Sequence, residues 1–408
     1  MSNTLNTFRE EIFNELKNNI LPYWECKLID TKTRGFHGRI SGDEILDMSA
    51  IRGGIMNARI LWTFASAYRI FNDYNYLDIA RRAKNEIIDR FFDVEYGGVF
   101  WSITHEGMPS DTKKQIYAIA FAIYGLAEYY RATNDQQSLD YAIKMFHSIE
   151  CHSHDSRHGG YFEAFTRDWA TIDDMRLSDK DANESKTMNT HLHILEAYTC
   201  LYRVWKDPLL KERLTELIDI FITRIIDDAG HLKLFFTEDW ECSYDIYSFG
   251  HDIEASWLIH EAALVLGEPE TLRKVESIVP KIAAAAEEGL MEDGSMIYER
   301  DNKSGHTDYE RHWWVQAESV VGYFNLWEHF GNKWNLEKSL KCWQYIKQNL
   351  IDTENGEWHW SVYPDGSINR KDDKAGFWKC PYHNGRMCME IVERLLKTPP
   401  SACQKSSL

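Results

Sequence analysis

The sequence predicts an all-α chain whose helices pair and close into an (α/α)6 barrel, with short strand-like turns between helix pairs. Three observations carry this. Apolar residues recur at helical spacing along most of the chain. A glycine followed by a short apolar or aromatic run recurs at Gly35, Gly98, Gly160, Gly230, Gly294 and Gly356, at intervals of 62 to 70 residues, each with room for two helices. No Ser/Pro/Gly-rich linker divides the chain, so residues 1–396 read as one domain although the length alone would admit more. Helical hairpins of this kind either stack openly or close on themselves, and six units favour closure, with one ring of helices inside another.

Taken in order, Phe8, Ile12, Leu16 and Ile20 recur every four residues, and Pro22 is expected to end or bend that first helix. A helix over about 48–71 follows, containing Asn57-Ala-Arg59-Ile-Leu-Trp62, then an amphipathic helix over 77–88 and the turn Tyr96-Gly-Gly-Val-Phe-Trp101. The same alternation continues to the last helix. The polar, proline-bearing segment 397–408 reads as a disordered tail. Arg59, Tyr117, His193, His251, Trp314 and His383 each fall in the alternate helix of successive units. In a closed barrel those helices form the inner ring, so residues at one phase of the repeat converge at one mouth.

Composition narrows the function. A formal charge of −18 argues against nucleic acid or an anionic membrane surface as partner. No apolar run approaches transmembrane length, and the N-terminus lacks a basic and an apolar signal region. The eight cysteines form no CxxC pair and read as free thiols of a reducing compartment, which points to the cytoplasm. The chain carries 15 Trp, 21 Tyr and 19 Phe, rings that fill cores and also suit the faces of sugars. Phosphate-loop, GxGxxG and GxSxG motifs are all missing.

The candidate chemistry lies in three histidine-bearing stretches. In Ser248-Phe-Gly-His-Asp-Ile-Glu-Ala-Ser-Trp257, His251, Glu254 and Trp257 share a helical face, which places a carboxylate beside an imidazole. In Met188-Asn-Thr-His-Leu-His193, Asn189 and His193 share a face and His191 points the other way, so the two histidines cannot chelate one metal from a regular helix. His383 opens the final helix. His152, His154 and His158 look metal-like in composition but are irregularly spaced, and no metal or cofactor is expected. Imidazoles with an arginine and no metal suit proton transfer at a carbon beside a carbonyl, as at C2 of an open-chain sugar, with Arg59 stabilising the oxyanion. A glycoside hydrolase using a carboxylate pair drawn from Glu254, Glu318 and Asp181, and a noncatalytic carbohydrate-binding barrel, stay open on the residues alone.

Longer strings carry a resemblance. Asn57–Trp62, Lys186–His193 with Leu195-Glu-Ala-Tyr-Thr199, Gly250–Trp257, Trp313-Trp-Val-Gln-Ala-Glu318 and Trp378–Cys388, in that order, resemble the cellobiose 2-epimerases of the N-acylglucosamine 2-epimerase superfamily, to about residue 393. The resemblance implies an (α/α)6 barrel and metal- and cofactor-free epimerisation of a reducing-end glucose to mannose, on cellobiose and also lactose, by a monomer or homodimer. It implies His251 and His383 as the acid/base pair at C2 and His193 as an aid to ring opening. Arg59 and Asn189 would hold substrate oxygens, Glu254 would orient His251, and Tyr117, Trp314 and Trp378 would line the sugar site. The stretch Ser178–Glu184 would close over it, with Asp181 contacting the distal sugar. The alternative within the family is a monosaccharide mannose/glucose 2-epimerase or aldose–ketose isomerase on the same site.

Overall fold

A computed structural model of the chain describes residues 2–397, so the expected tail lies outside the described residues except for Lys397, which belongs to the last helix. The first helix does not stop at Pro22. Helix α1 (Ser2–Glu15) runs through a π turn, Leu16–Ile20, into α2 (Leu21–Lys27), whose first turn holds Pro22. The Leu21 N–H reaches back five residues to the Leu16 carbonyl. That wider turn takes up a residue which has no N–H of its own to offer the helix.

The rest of the chain is a sequence of helical hairpins: α3 (Gly54–Phe71) with α4 (Tyr74–Glu86), α5 (Ile116–Thr133) with α6 (Gln136–His152), α7 (Met188–Val204) with α8 (Pro208–Ile220), α9 (Phe249–Leu266) with α10 (Pro269–Ala286), and α11 (Trp313–Phe330) with α12 (Lys333–Asn349). The final helix, α13 (His383–Lys397), pairs back with α1. The hairpin corners are chemically alike. Asn72, Asn134, Gly267 and Gly331 end four of the odd-numbered helices in the left-handed conformation. Asp73, Asp135 and Asn332 come next and cap the following helix through their side chains.

Helices α3, α5, α7, α9, α11 and α13 each pack on the next, and α13 returns to α3, so the inner ring closes as an (α/α)6 barrel. The remaining helices pack outside it. Inner helices are buried over most of their length, as in Gly54–Ala67 of α3 and Ile116–Tyr129 of α5, which is why their sequences are apolar nearly all round. Where two inner helices approach most closely there is no side chain. A Cβ on Gly322 of α11 would lie 2.6 Å from Ile253 Cγ1 and 2.9 Å from the Ile253 carbonyl of α9.

The strand-like turns form the mouth at the N-terminal ends of the inner helices. Arg52–Gly53 pairs antiparallel with Ser102–Ile103, Lys114–Gln115 with Ala164–Phe165, Lys186–Thr187 with Phe235–Phe236, and Arg311–His312 with Ser361–Val362. Ile246–Ser248 pairs with Glu299–Asp301, which also pairs with His306–Asp308. Each inter-segment pairing joins the stretch that enters an inner helix to the stretch that leaves its outer partner, and a bridge between Ile40 and Ala375 joins the first turn of the chain to the last. Beneath them, Asp30, Asp93, Asp155 and Asp352 each accept backbone N–H groups of their own turn. Each also pairs with a buried cation, Arg52, Lys114, Lys186 and Lys374 respectively. The recurring glycines follow these aspartates, and Gly98 and Gly160 take φ of 66° and 77°, a turn that side chains resist.

The ring tolerates little added volume at its contacts. Gly322→Val is expected to cost about 1–3 kcal/mol through overpacking against Ile253, read as a lower urea midpoint with an unchanged slope. A midpoint equal to that of the parent would show that the α9–α11 contact has slack.

Candidate active site

Because side chains in the first turns of the inner helices point into the ring at one end, that end becomes a cavity. Its volume is about 380 Å³, within the range of small-ligand clefts, about 300–1,000 Å³. Arg59 from α3, Tyr117 from α5, Asn189 and His193 from α7, His251 and Glu254 from α9, Trp314 from α11 and His383 from α13 all line it. Trp378 lines it from the segment before α13, and Asp181 from the long loop between α6 and α7. These ten nominated residues therefore meet in one place, while Glu318, the other carboxylate candidate, stands behind His383 outside the lining. Four lining residues, Tyr298, His312, Trp360 and Asp372, carried no signal in the sequence. They reach the mouth on turns, where helical spacing says nothing.

Each histidine has its Nδ1 engaged, leaving Nε2 for the cavity. His383 Nδ1–H donates to Glu318 Oε1 at 2.7 Å, and His193 Nδ1–H donates to Glu196 Oε2 at 2.9 Å. His251 Nδ1 meets the hydroxyl of Ser248 at 2.7 Å. A hydroxyl accepts from a protonated Nδ1 or donates to a bare one, so His251 alone has a partner that suits either tautomer. Its ring lies 4.7 Å from that of Trp314, which lies 5.7 Å from His383. Gly250 permits the approach, since a Cβ there would be 2.7 Å from the Trp314 ring.

The expected pairing of Glu254 with His251 does not form. Glu254 Oε1 accepts instead from Arg386 Nη2 at 2.6 Å, and Oε2 has no hydrogen-bond partner. Glu254 is one turn deeper than His251, whose Nδ1 turns instead to the Ser248 hydroxyl. Arg386 Nη2 also donates to Glu318 at 2.6 Å, and its Nη1 donates to Glu196 and to the Tyr382 hydroxyl. Sequence reasoning missed Arg386 and Glu196. Both stand three residues after a nominated histidine, the spacing that drew attention to Glu254.

The protonation states follow from burial and neighbours. Burial, reinforced by His193, pushes His251 down to about 3. Burial also lowers His193, although Glu196 opposes the shift. His383 is held well below its usual value by burial and by Arg59 and Arg386. All three are neutral near pH 7, the form that takes up a proton. Burial and then repulsion from Glu318 raise Glu254 to about 8, so the Glu254–Glu318 pair keeps a proton at neutral pH. Glu318 has all its close partners as donors, so the proton belongs on Glu254, whose Oε2 is unpartnered.

The cavity lining holds an exposed cation, Lys180, and a buried one, Arg59. Its Nη2 donates to the Tyr117 hydroxyl at 2.8 Å and its Nη1 to the Trp378 carbonyl at 3.2 Å, and its guanidinium lies 4.2 Å from the Phe121 ring centre. None of these partners is a carboxylate, so its charge is left to act on whatever occupies the cavity. Asn189 Oδ1 has no partner in the protein. Asp181 Oδ2 accepts from the backbone and hydroxyl of Ser178, which fixes it at the cavity rim.

Other histidines have structural places. His191 Nε2 accepts from the Tyr161 N–H and its Nδ1–H donates to the Thr187 carbonyl. His154 pairs with Glu216, His158 with Asp155, and His152 stacks on Trp169 at 4.3 Å, so those three do not converge. Among the described residues two groups have a metal-like donor set, Glu254 with Glu318 and His383, and Asp155 with His158 and Glu238. Arg386 already bonds to both carboxylates of the first, and Lys186 to Asp155 of the second.

A titration of histidine ring nitrogens by NMR tests this electrostatic picture. At pH 5.5 the rings of His251 and His383 are expected to stay neutral, because burial holds His251 at about 3 and His383 well below its usual value, which delays protonation as pH falls. An imidazolium signature for His251 at that pH would overturn the assignment.

The chain is similar to known proteins. The family model of N-acylglucosamine 2-epimerase (GlcNAc 2-epimerase) matches residues 35–385. A cellobiose 2-epimerase of Bacteroides fragilis is 57% identical over 385 residues, covering 94% of this chain and 98% of that protein. One from Ruminococcus albus is 41% identical over 389 residues, covering 94% and 98%. The solved structure of cellobiose 2-epimerase from Bacillus thermoamylovorans superposes with a TM-score of 0.92 at 43% identity, covering 95% of this chain and all of that one. With a matching family model over most of its length and relatives well above 30% identity, the chain belongs to the N-acylglucosamine 2-epimerase family.

Proposed function

We propose that the protein epimerises the reducing-end sugar of β-1,4-linked disaccharides at C2, interconverting cellobiose with glucosyl-mannose and lactose with epilactose. The observation that carries this is the convergence of three neutral histidines, each with Nε2 toward one cavity, beside an arginine with no carboxylate partner. The relatives named cellobiose 2-epimerase support the choice of substrate.

The chemistry is written with this chain's residues. The reducing-end ring opens to its aldehyde, with His193 moving the proton between the ring oxygen and O1. One of His251 and His383 takes the C2 proton through Nε2, and the C2–H electrons form the C1–C2 double bond of an enediolate. Arg59 stabilises the oxygen that gains charge. The inner-helix N-termini around the cavity add a positive potential in the same direction. The other histidine takes a proton from solvent at Nε2 and, as the imidazolium so formed, delivers it to the opposite face of C2, while the first ring releases the C2 proton to solvent, so both rings end neutral. Glu318 behind His383 supports the charged ring, while Ser248 lets His251 exchange tautomers.

Trp314, Trp378 and Trp360 supply ring faces for the sugars, and Asp181 a rim contact for the distal unit. Glu254 and Glu318 are engaged with Arg386, which favours this reading over hydrolysis by a carboxylate pair. No helix among the described residues is long and apolar enough to cross a membrane. The cysteines among the described residues are all unpaired, which supports action in a reducing compartment such as the cytoplasm.

Proton NMR of the protein with cellobiose in D2O decides the reaction. Growth of a glucosyl-mannose signal with deuterium at C2 is expected, and release of free glucose would mean hydrolysis instead. His251→Ala and His383→Ala are each expected to lower turnover by about 10²–10⁴-fold with an unchanged circular dichroism spectrum. Full activity in either variant would remove that residue from the proton transfer.

A further inference from the structure

The three histidines and Arg59 account for the reacting side of the cavity but not for the charge cluster beneath it. Arg386 is 1% exposed and belongs to α13. It joins Glu196 of α7, Glu254 of α9 and Glu318 of α11, so one guanidinium gathers three inner helices onto a fourth. Two of those carboxylates are the Nδ1 acceptors of His193 and His383. Arg386 itself is absent from the cavity lining, so it does not touch a substrate there.

A buried cluster of this kind is a weak device for stability alone, because apolar side chains of similar volume often do as well. Its placement suits another task. Without a fixed acceptor at Nδ1, a neutral imidazole puts its proton on either nitrogen, and the tautomer with Nε2–H cannot act as a base toward the sugar. We propose that Arg386 is a positioning residue for the proton transfers: by holding Glu196 and Glu318 against the Nδ1 atoms of His193 and His383, it keeps Nε2 of both rings bare and aimed at the sugar. This rests on the epimerase reading of the same site.

The charges around Arg386 set the direction of the test. Glu196 and His193 face it from α7, Glu254 from α9, Glu318 from α11, His383 from α13 and Tyr382 from just before α13. Arg59 of α3 lies against the far side of the Tyr382 ring, and Tyr124 of α5 completes the surround. Arg386 lowers His193 and His383 and also lowers its carboxylate partners. When its cation is lost or displaced, the bases and the carboxylates all protonate at higher pH. A protonated base is inactive, so the acid limb of kcat/KM moves to higher pH.

The experiment compares the full chain with Arg386→Lys, Arg386→Met and Glu196→Gln, using cellobiose in D2O across pH. Expected for Arg386→Lys and Glu196→Gln are a kcat lower by about ten- to a hundredfold and a KM within about threefold. For Arg386→Lys the acid limb is also expected to rise by about one unit. Ring-nitrogen NMR is expected to show His193 leaving the Nδ1–H tautomer in Glu196→Gln. If Arg386→Met fails to fold, the two conservative variants decide. An unchanged pH profile and unchanged His193 tautomer, with losses that follow only the melting temperature, would overturn the inference and leave Arg386 structural. If the parent protein itself places no deuterium at C2, the epimerase reading fails, while the tautomer measurement still tests the role of Arg386.

Discussion

A closed ring of helices buried on every side can keep charge only where it is paired or where the ring ends, and that constraint orders the whole molecule. Helices α3 and α5 are largely apolar through their middle turns, and the charge inside the ring is gathered on Arg386. At the end where the helices finish, Arg69 pairs with Glu128 and Glu393, Arg203 with Glu261, and Arg394 with Glu328 and Glu390. Cations suit helix C-termini, and these pairs close that end with matched charge. At the other end the helix N-termini face a cavity whose buried cation, Arg59, lacks a carboxylate partner among its contacts. One end is neutralised and the other is left able to act on a ligand.

The mouth has to be rigid for such a cavity to hold a shape, and two-residue strands are not rigid by themselves. The buried aspartate–cation pairs under the turns supply what the strands lack. Asp93 binds the N–H groups of its own turn and Lys114 of the strand ahead of α5, and Asp155 does the same with Lys186 ahead of α7. Each pair fixes the entry of an inner helix to the exit of an outer one. Removing one partner would leave a lone charge in a dry place, which is far more costly than the net worth of the pair.

The same spacing led to two different outcomes in neighbouring helices. His193 and Glu196 on α7 stand three apart and are bonded, and His251 and Glu254 on α9 stand three apart and are not. Helical geometry offers both pairs the same opportunity. Arg386 binds one oxygen of each carboxylate and leaves each a second one; that of Glu196 meets His193, while that of Glu254 has no partner. What differs is Ser248, whose hydroxyl takes Nδ1 of His251.

The sequence by itself determined the fold class, the closure of six units and the set of residues at the mouth. These rest on periodicity and repeat length, which are local quantities written along the chain. Arg59, Tyr117, Asn189, His193, His251, Trp314 and His383 were legible because one phase of a repeat must converge when the repeat closes. The continuation of the first helix past Pro22, the partners of each imidazole and the turn residues Tyr298, His312 and Trp360 were decided by the tertiary structure alone. Hydrogen bonds among buried charges depend on which groups from distant helices share a low-dielectric space, and no spacing along one helix contains that information.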